Sequence, residues 1–383
     1  MAQLSALPFA NLNYQYDSNI FALPTGSTVP LNTRTFGLGD SFLQEKAGAN
    51  LLYDWSLQEF YANAEVRHLA YDDFSELNHD ESLVHGGMKW KLANLFDGVL
   101  DYARERSMVP FADFVGTQLF LQRQSVITGR ANVQFTPEWR LETQGQVNDL
   151  SSPRPGLPDL SLTERWVEQR LRYSPGAELS AGIDAIYLTG KFNGNEYVIA
   201  PQYSQTTFNA AMKYVPTGLS SFDGALGYTH RAPQGLASVG GTTGSLSYDW
   251  MISGRCALDA KINRSVATYV SFLGTEIDTA ASLGLNWTAT AKIAVTPSYR
   301  WNYTSYPEES VGAVERLDHY QVAAISVRYQ ILNWLSLRPY GQYETRRSDV
   351  GIYSFNRSVY GLQVEVRLSG QADQPYELSL PDW

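Results

Sequence analysis

The chain has 383 residues and a net charge of −10, a balance that argues against a nucleic-acid partner. Charged residues make up 18% and aromatics 13%, with 24 Tyr and 9 Trp; a typical soluble domain carries roughly 25% charge. A single cysteine, Cys256, excludes an internal disulfide framework and a cysteine-built zinc site, and no window approaches the roughly 18 to 20 continuous apolar residues of a membrane helix.

The first residues, MAQLSALPFA, have neither a charged n-region nor an apolar h-region, so they read as the start of a mature chain with an added Met. Residues 1–8 are expected to be a short lead. From Pro8 onward about eighteen runs of roughly 9 to 14 residues follow, the length that crosses a bilayer at a tilt. The first is Phe9–Asn19, then a Pro/Gly/Thr-rich stretch leads to Ala47–Trp55 and Glu59–Tyr71. Glu81–Leu92, Asp97–Met108, Ser125–Phe135 and Trp139–Leu150 come next, followed by Leu162–Tyr173, Glu178–Phe192, Tyr203–Val215 and Ser221–Arg231. The series continues through Gly240–Trp250, Arg255–Thr268, Glu276–Trp287 and Ala291–Tyr303, and ends with Leu317–Gln330, Trp334–Arg346 and Tyr353–Leu368. Short turns such as Thr136-Pro137-Glu138 and Ser174-Pro175-Gly176 alternate with longer polar loops such as Asp72–Asp80, Ser151–Ser161 and Ser305–Arg316. That asymmetry belongs to outer-membrane barrels, which have short periplasmic turns and long external loops.

Within the runs the period is two. In the last, Leu362, Val364, Val366 and Leu368 alternate with Gln363, Glu365 and Arg367, which gives a strand one apolar and one polar face. Ile183, Phe208, Met212, Leu226, Leu246, Leu283 and Ile325 fall on the apolar face, and Cys256 shares the parity of Leu258. Trp55, Trp139, Tyr173, Trp250, Trp287 and Trp334 sit at run ends beside short turns, as an interfacial girdle requires. The expected fold is therefore all-β: a transmembrane antiparallel up-and-down β-barrel of about eighteen strands, with both termini periplasmic, spanning residues 9–368 in the bacterial outer membrane and its lipid.

The opposite face carries Lys89, Arg140, Glu142, Glu168, Arg170, Arg172, Arg300, Arg338, Tyr340, Glu344 and Glu365, charges of both signs that only a hydrated lumen tolerates. Trp166 lies among them, with Glu168, Arg170 and Arg172 behind it. An aromatic face beside carboxylates and guanidinium forks can hold a sugar ring; a charge ladder that fixes barrel shape is the plainer expectation. The five histidines form no metal or nucleophile motif. His79 with Asp72, Asp73, Glu76 and Asp80 lacks the order of a calcium loop and reads as a solvated external loop. No catalytic constellation and no cofactor is expected.

Three stretches carry a family resemblance. Asn13-Tyr14-Gln15-Tyr16-Asp17-Ser18-Asn19-Ile20-Phe21 with Leu23-Pro24, then Tyr71-Asp72-Asp73-Phe74, then Thr136-Pro137-Glu138-Trp139-Arg140 resemble the β-barrel porin 2 group. That group includes exosortase-associated exopolysaccharide-export proteins of the outer membrane. The resemblance implies an outer-membrane pore through which a polysaccharide chain leaves the cell, with periplasmic and inner-membrane export components as partners. It brings no catalytic residues. The chain departs from the group in running on through an acidic tail, residues 369–383. A general or sugar-selective diffusion porin is the alternative function, and Ala22–Glu45 is the expected inward-folding loop.

Overall fold

Alternation of period two commits nearly every run to a strand, and short turns between them commit each strand to pair with the next. The structure, a computed structural model, describes residues 3–31, 34–154, 159, 161–193, 201–269, 274–307 and 315–367. The acidic tail lies outside them. The strands are β1 (Gln3–Asp17), a small ribbon of β2 (Val29–Leu31) and β3 (Arg34–Phe36), β4 (Asp40–Trp55), β5 (Gln58–Tyr71), β6 (His79–Leu92) and β7 (Phe96–Met108). Then come β8 (Leu121–Gln134), β9 (Trp139–Ser151), β10 (Leu162–Tyr173), β11 (Leu179–Phe192), β12 (Gln202–Thr217), β13 (Ser220–Pro233) and β14 (Val239–Ser253). The series ends with β15 (Cys256–Tyr269), β16 (Gly274–Thr290), β17 (Ile293–Tyr306), β18 (Arg316–Leu332), β19 (Leu335–Ser348) and β20 (Phe355–Arg367).

All but the ribbon form one 18-stranded antiparallel sheet. From β4 to β20 each strand pairs with its successor, and β1 pairs with both β4 and β20, so the sheet closes on itself. The seam runs from Phe9↔Arg367 to Asp17↔Val359, the closure expected between the first and last runs. The start of β1 and the end of β20 lie at the rim of the short turns; the long loops occupy the other rim. At the tight turns Ser56 and Ala93 take φ of 58° and 53°, the left-handed conformation that closely connected strands require.

Cross-strand partners share a face, so the register separates the two surfaces. Leu12, Leu51, Val84, Ile127, Ile183, Phe208, Leu226, Ile262 and Ile325 point outward and are exposed. Trp55, Trp139, Tyr173, Tyr214, Trp250 and Trp287 ring this band at the turn side, with Trp139 and Tyr173 in ring contact at 4.8 Å. A second ring, not expected from the sequence, lies at the loop side: Tyr14, Tyr187, Tyr228, Tyr343 and Tyr360, all outward and exposed. An apolar band between two aromatic belts is the outer face of an outer-membrane barrel.

Several boundaries differ from expectation. β1 begins at Gln3 instead of Phe9, because residues 3–8 hydrogen-bond along β4 below the seam, from Gln3↔Asp54 to Pro8↔Ala49. β4 begins at Asp40 instead of Ala47, its extra residues pairing with the loop-side end of β1. β8 starts at Leu121. In each case pairing to a longer neighbour extends a strand into sequence without strong alternation.

The two faces make opposite predictions for the same substitution. Leu226→Arg, in the apolar band, should lower barrel stability by about 2–4 kcal/mol, while Asn209→Arg, on the inner face of β12, should cost far less. Urea unfolding in lipid vesicles measures both, and equal costs would contradict the assignment of faces.

Candidate functional site

The inner face is a wall of polar side chains that largely satisfy one another. On β5–β7, Arg67 pairs with Glu65, with Glu81 at 3.2 Å and with Glu105 at 3.5 Å. Tyr61 donates to Asp101 at 2.6 Å and His85 lies 2.8 Å from the same carboxylate. Arg140 reaches Asp97 at 2.8 Å and Glu142 at 3.1 Å. Arg170 holds Glu168 at 2.6 Å, and Arg172 pairs with Asp184. Midway along β12 to β14 hydroxyls replace charges, with Thr207, Thr229 and Thr243 bonded in a row at 2.8 and 2.9 Å.

All twelve lumen residues expected from the sequence lie on this inner face, but they do not converge. Arg140, Glu142, Trp166, Glu168, Arg170 and Arg172 are contiguous on β9 and β10. Trp166 sits half-buried in register with Gln146 and Leu188. The guanidiniums beside it are already held by wall carboxylates, which favours the charge-ladder reading there over a sugar clamp. Lys89 stands apart at the turn side with Glu59, 2.6 Å away. Arg300 donates to Asn302 on β17. On β19, Tyr340 donates to Gln15 at 2.6 Å across the seam, Glu344 accepts from Tyr320 at 3.0 Å, and half-buried Arg338 shares their face. Glu365 pairs with Arg367. Cys256 is in register with outward Trp287.

Sequence reasoning foresaw only part of the feature that narrows this lumen, the inward loop after β1. At the loop side an apolar cluster gathers Ile20, Phe21, Phe74, Leu77, Val109, Phe111, Phe114, Phe120 and Phe355. Phe74 and Leu77 are 0% exposed and Phe21 is 1% exposed, so this part of the mouth is dry. The rings meet edge to face: Phe21 with Phe74 at 4.9 Å, Phe21 with Phe111 at 4.9 Å, Phe114 with Phe120 at 5.4 Å.

Three segments build it, each fixed by buried polar groups. In the first, Asn19 accepts from the Leu23 N–H and donates to the carbonyls of Leu23 and Asn356, while Asp17 accepts the Asn19 N–H and pairs with Arg357 at 3.0 Å. The Asp-Ser-Asn-Ile-Phe run thus turns Ile20 and Phe21 inward at the seam. In the second, buried Asp40 accepts the N–H groups of Asp73 and Phe74 at 3.0–3.1 Å and aims Phe74 at Phe21. The third, Val109–Phe120 between β7 and β8, leaves the wall and reaches far round the barrel. The guanidinium of Arg346 on β19 donates to the Ala112 carbonyl at 2.7 Å.

The opposite side is filled too. Buried Arg231 lies over the Tyr203 ring at 3.7 Å, and Thr268, near the end of β15, bonds to Arg231, Tyr203 and Glu164. His79, expected in a solvated loop, is instead turned inward and buried, bonded to the Leu77 carbonyl at 2.6 Å, while Asp72, Asp73, Glu76 and Asp80 stay exposed. The expected loop Ala22–Glu45 contributes Ala22, Leu23, Val29 and Leu38, next to Ile20 and Phe21 just before it, while its last residues, Phe42 among them, belong to β4. Val109-Pro-Phe-Ala-Asp-Phe was the available signal, an apolar run where a loop should be polar.

No protein-family model and no curated protein sequence matches the chain. Its fold is similar to solved structures. OccK2 (OpdF) of Pseudomonas aeruginosa aligns with TM-score 0.52 and 10% identity, over 95% of this chain and 98% of that one. The same protein in complex with glucuronate gives 0.51 and 10%, over 96% and 99%. The FrpB iron transporter of Neisseria meningitidis (F3-3 variant) gives 0.50 and 11%, over 89% of this chain and 62% of that chain. At such identities the likeness is one of fold. With the lipid-facing band and the polar inner face, it makes the protein an outer-membrane β-barrel.

Two outcomes follow. Phe74→Ala should remove about 3–5 kcal/mol of packing from the plug and raise single-channel conductance, with barrel integrity retained; unchanged conductance would show that the cluster does not narrow the path. Crowding by the surrounding protein raises the Asp113 carboxyl above its ordinary range although its side chain keeps contact with water, with Arg346 partly opposing. Its ionised form therefore disfavours the packed loop above the raised pKa, and that penalty disappears as pH falls through it towards the ordinary 3.8. Conductance should fall on acidification, and Asp113→Asn should weaken that dependence.

Proposed function

We propose that the barrel exports a secreted exopolysaccharide through its hydrated lumen, in the direction of the long loops. The short-turn rim and both termini then face the periplasm, where export components from the periplasm and inner membrane would deliver the chain. The observation that carries this reading is the self-neutralised inner wall. Inward cations such as Arg67, Arg140, Arg170, Arg172 and Arg357 are held by wall carboxylates, others such as Arg300 and Arg346 by amide or carbonyl oxygens, and amides and hydroxyls such as Asn63–Asn50 and Thr207–Thr229–Thr243 fill the spaces between. Such a surface offers a glycan many exchangeable hydrogen bonds without a strong single-sign field. A tight site would arrest a moving polymer, and the wall has no convergent cluster at Trp166 that would act as one.

The aromatic plug favours a second reading, a diffusion porin for small sugars or other polar solutes. A polymer needs Phe21, Phe74 and the Val109–Phe120 loop displaced, whereas a small solute could pass beside them. The fold likeness to a channel solved with glucuronate is compatible with both.

Liposome swelling with mono- and oligosaccharides, combined with surface-polysaccharide assay of a deletion strain, separates the two. Export predicts loss of surface polysaccharide on deletion and little swelling with small sugars. Free passage of small sugars with surface polysaccharide intact would reject export in favour of the porin.

A further inference from the structure

The inner and outer faces treat their cations differently. Inside, guanidiniums such as those of Arg67, Arg140, Arg170, Arg172 and Arg357 are tied to carboxylates. Outside, on the loop-side part of β7 to β11, Arg104, Arg106, Arg123, Arg165 and Lys191 make no ion pair among the described residues. Along each strand they lie loopward of the apolar band: Arg104 and Arg106 follow Leu100 and Tyr102, Arg123 lies beyond Ile127, Arg165 beyond Val167, and Lys191 beyond Tyr187.

Two local features sharpen the pattern. Arg106 and Arg123 are direct cross-strand partners on the same face, and like charges placed so are destabilising unless an anion bridges them. Arg165 and Lys191 flank a groove of about 690 Å³ on β10–β13 that also presents Tyr187, Thr163 and Thr189. On β7–β11 the outward acid at this depth among the described residues is Asp149, engaged by the Thr163 hydroxyl at 2.7 Å, and Asp80 of neighbouring β6, which shares a groove with Arg106, is taken by His68 at 2.7 Å.

We infer that the outer wall of β7–β11 binds phosphate-bearing lipid headgroups of the leaflet on the loop side. The charges sit at headgroup depth, just past the Tyr187 level of the aromatic belt, with the apolar band beneath to meet acyl chains. Paired guanidiniums match phosphate oxygens in geometry and charge, and polybasic arcs at this depth are how membrane proteins hold anionic lipid. The groove hydroxyls and Tyr187 add donors for a sugar or glycerol attached to the phosphate. The inference rests on the barrel spanning a membrane and is independent of what passes through the lumen.

Native mass spectrometry of the full folded chain, in detergent doped with equimolar dioleoylphosphatidic acid and dioleoylphosphatidylcholine, tests it. The wild type should retain the phosphatidic acid in preference by about tenfold. Replacing Arg106, Arg123, Arg165 and Lys191 with Gln should bring the ratio to about one, while heat-modifiable gel mobility checks folding. Should that variant fail to fold, Arg106→Gln with Arg123→Gln, and Arg165→Gln with Lys191→Gln, should each lower the ratio in part. Arg264→Gln, removing an outward arginine already bonded to Thr279, should leave it unchanged. Equal retention of both lipids by the wild type, or an unaltered ratio in the variants, would overturn the inference. Inorganic phosphate that displaced the lipid at equal concentration would also overturn it, by making the cluster a free-anion site.

Discussion

Lipid cannot hydrogen-bond a peptide group, so a sheet in a bilayer must leave no edge. That constraint makes the seam between β1 and β20 the contact on which the rest depends. It is built with unusual care: Tyr340 bonds to Gln15 and Asn13 across it, Arg357 pairs with Asp17, and Asn19 ties the first loop to the carbonyl of Asn356. The same residues that close the barrel also turn Ile20 and Phe21 into its mouth. Closure and constriction are thus coupled, because the loop that leaves β1 is anchored to the strand that arrives last.

Once closed, eighteen strands enclose more space than side chains fill, and the interior must be wet. Hydration explains why carboxylates and guanidiniums line the wall at little cost, and ion pairs in such surroundings contribute modestly to stability. Their collective effect is on the field: where charges pair, as along β5–β11, the wall is locally neutralised. The dry cluster at the loop side is the exception. Phe21, Phe74 and Phe111 form there what a soluble domain would place in its core, enclosed by a wall that is apolar on the outside and polar on the inside.

The fold was legible because a period of two repeats through the whole chain and turn chemistry marks every hairpin at one rim. The facing of each lumen residue was legible for the same reason, since parity alone decides it. Tyr187 and Tyr228 are single tyrosines inside runs, and only register aligns them with Tyr14 and Tyr360 into a second belt. The plug was hidden because loop conformation is set by distant contacts. Nothing near Ala112 in sequence announces Arg346, and nothing near Phe74 announces the Asp40 carboxylate that orients it. Trp166 had a suggestive neighbourhood, and the Glu168 partner of Arg170 lies in the same run, but the Asp184 partner of Arg172 comes from β11, which a single run cannot display.

A polar lumen behind a loop-side plug is tested most directly by thiol accessibility in reconstituted vesicles. In a Cys256→Ala background, Asn209→Cys places a thiol on the inner face of β12 and Phe208→Cys places one on the outer face. A membrane-impermeant thiol reagent added at the loop side should label position 209 slowly and position 208 not at all. Replacing Val109–Phe120 with a short Gly/Ser turn should speed labelling at 209 and leave 208 unchanged. Rapid labelling at 209 with the loop intact, or equal labelling at 208 and 209, would contradict that arrangement.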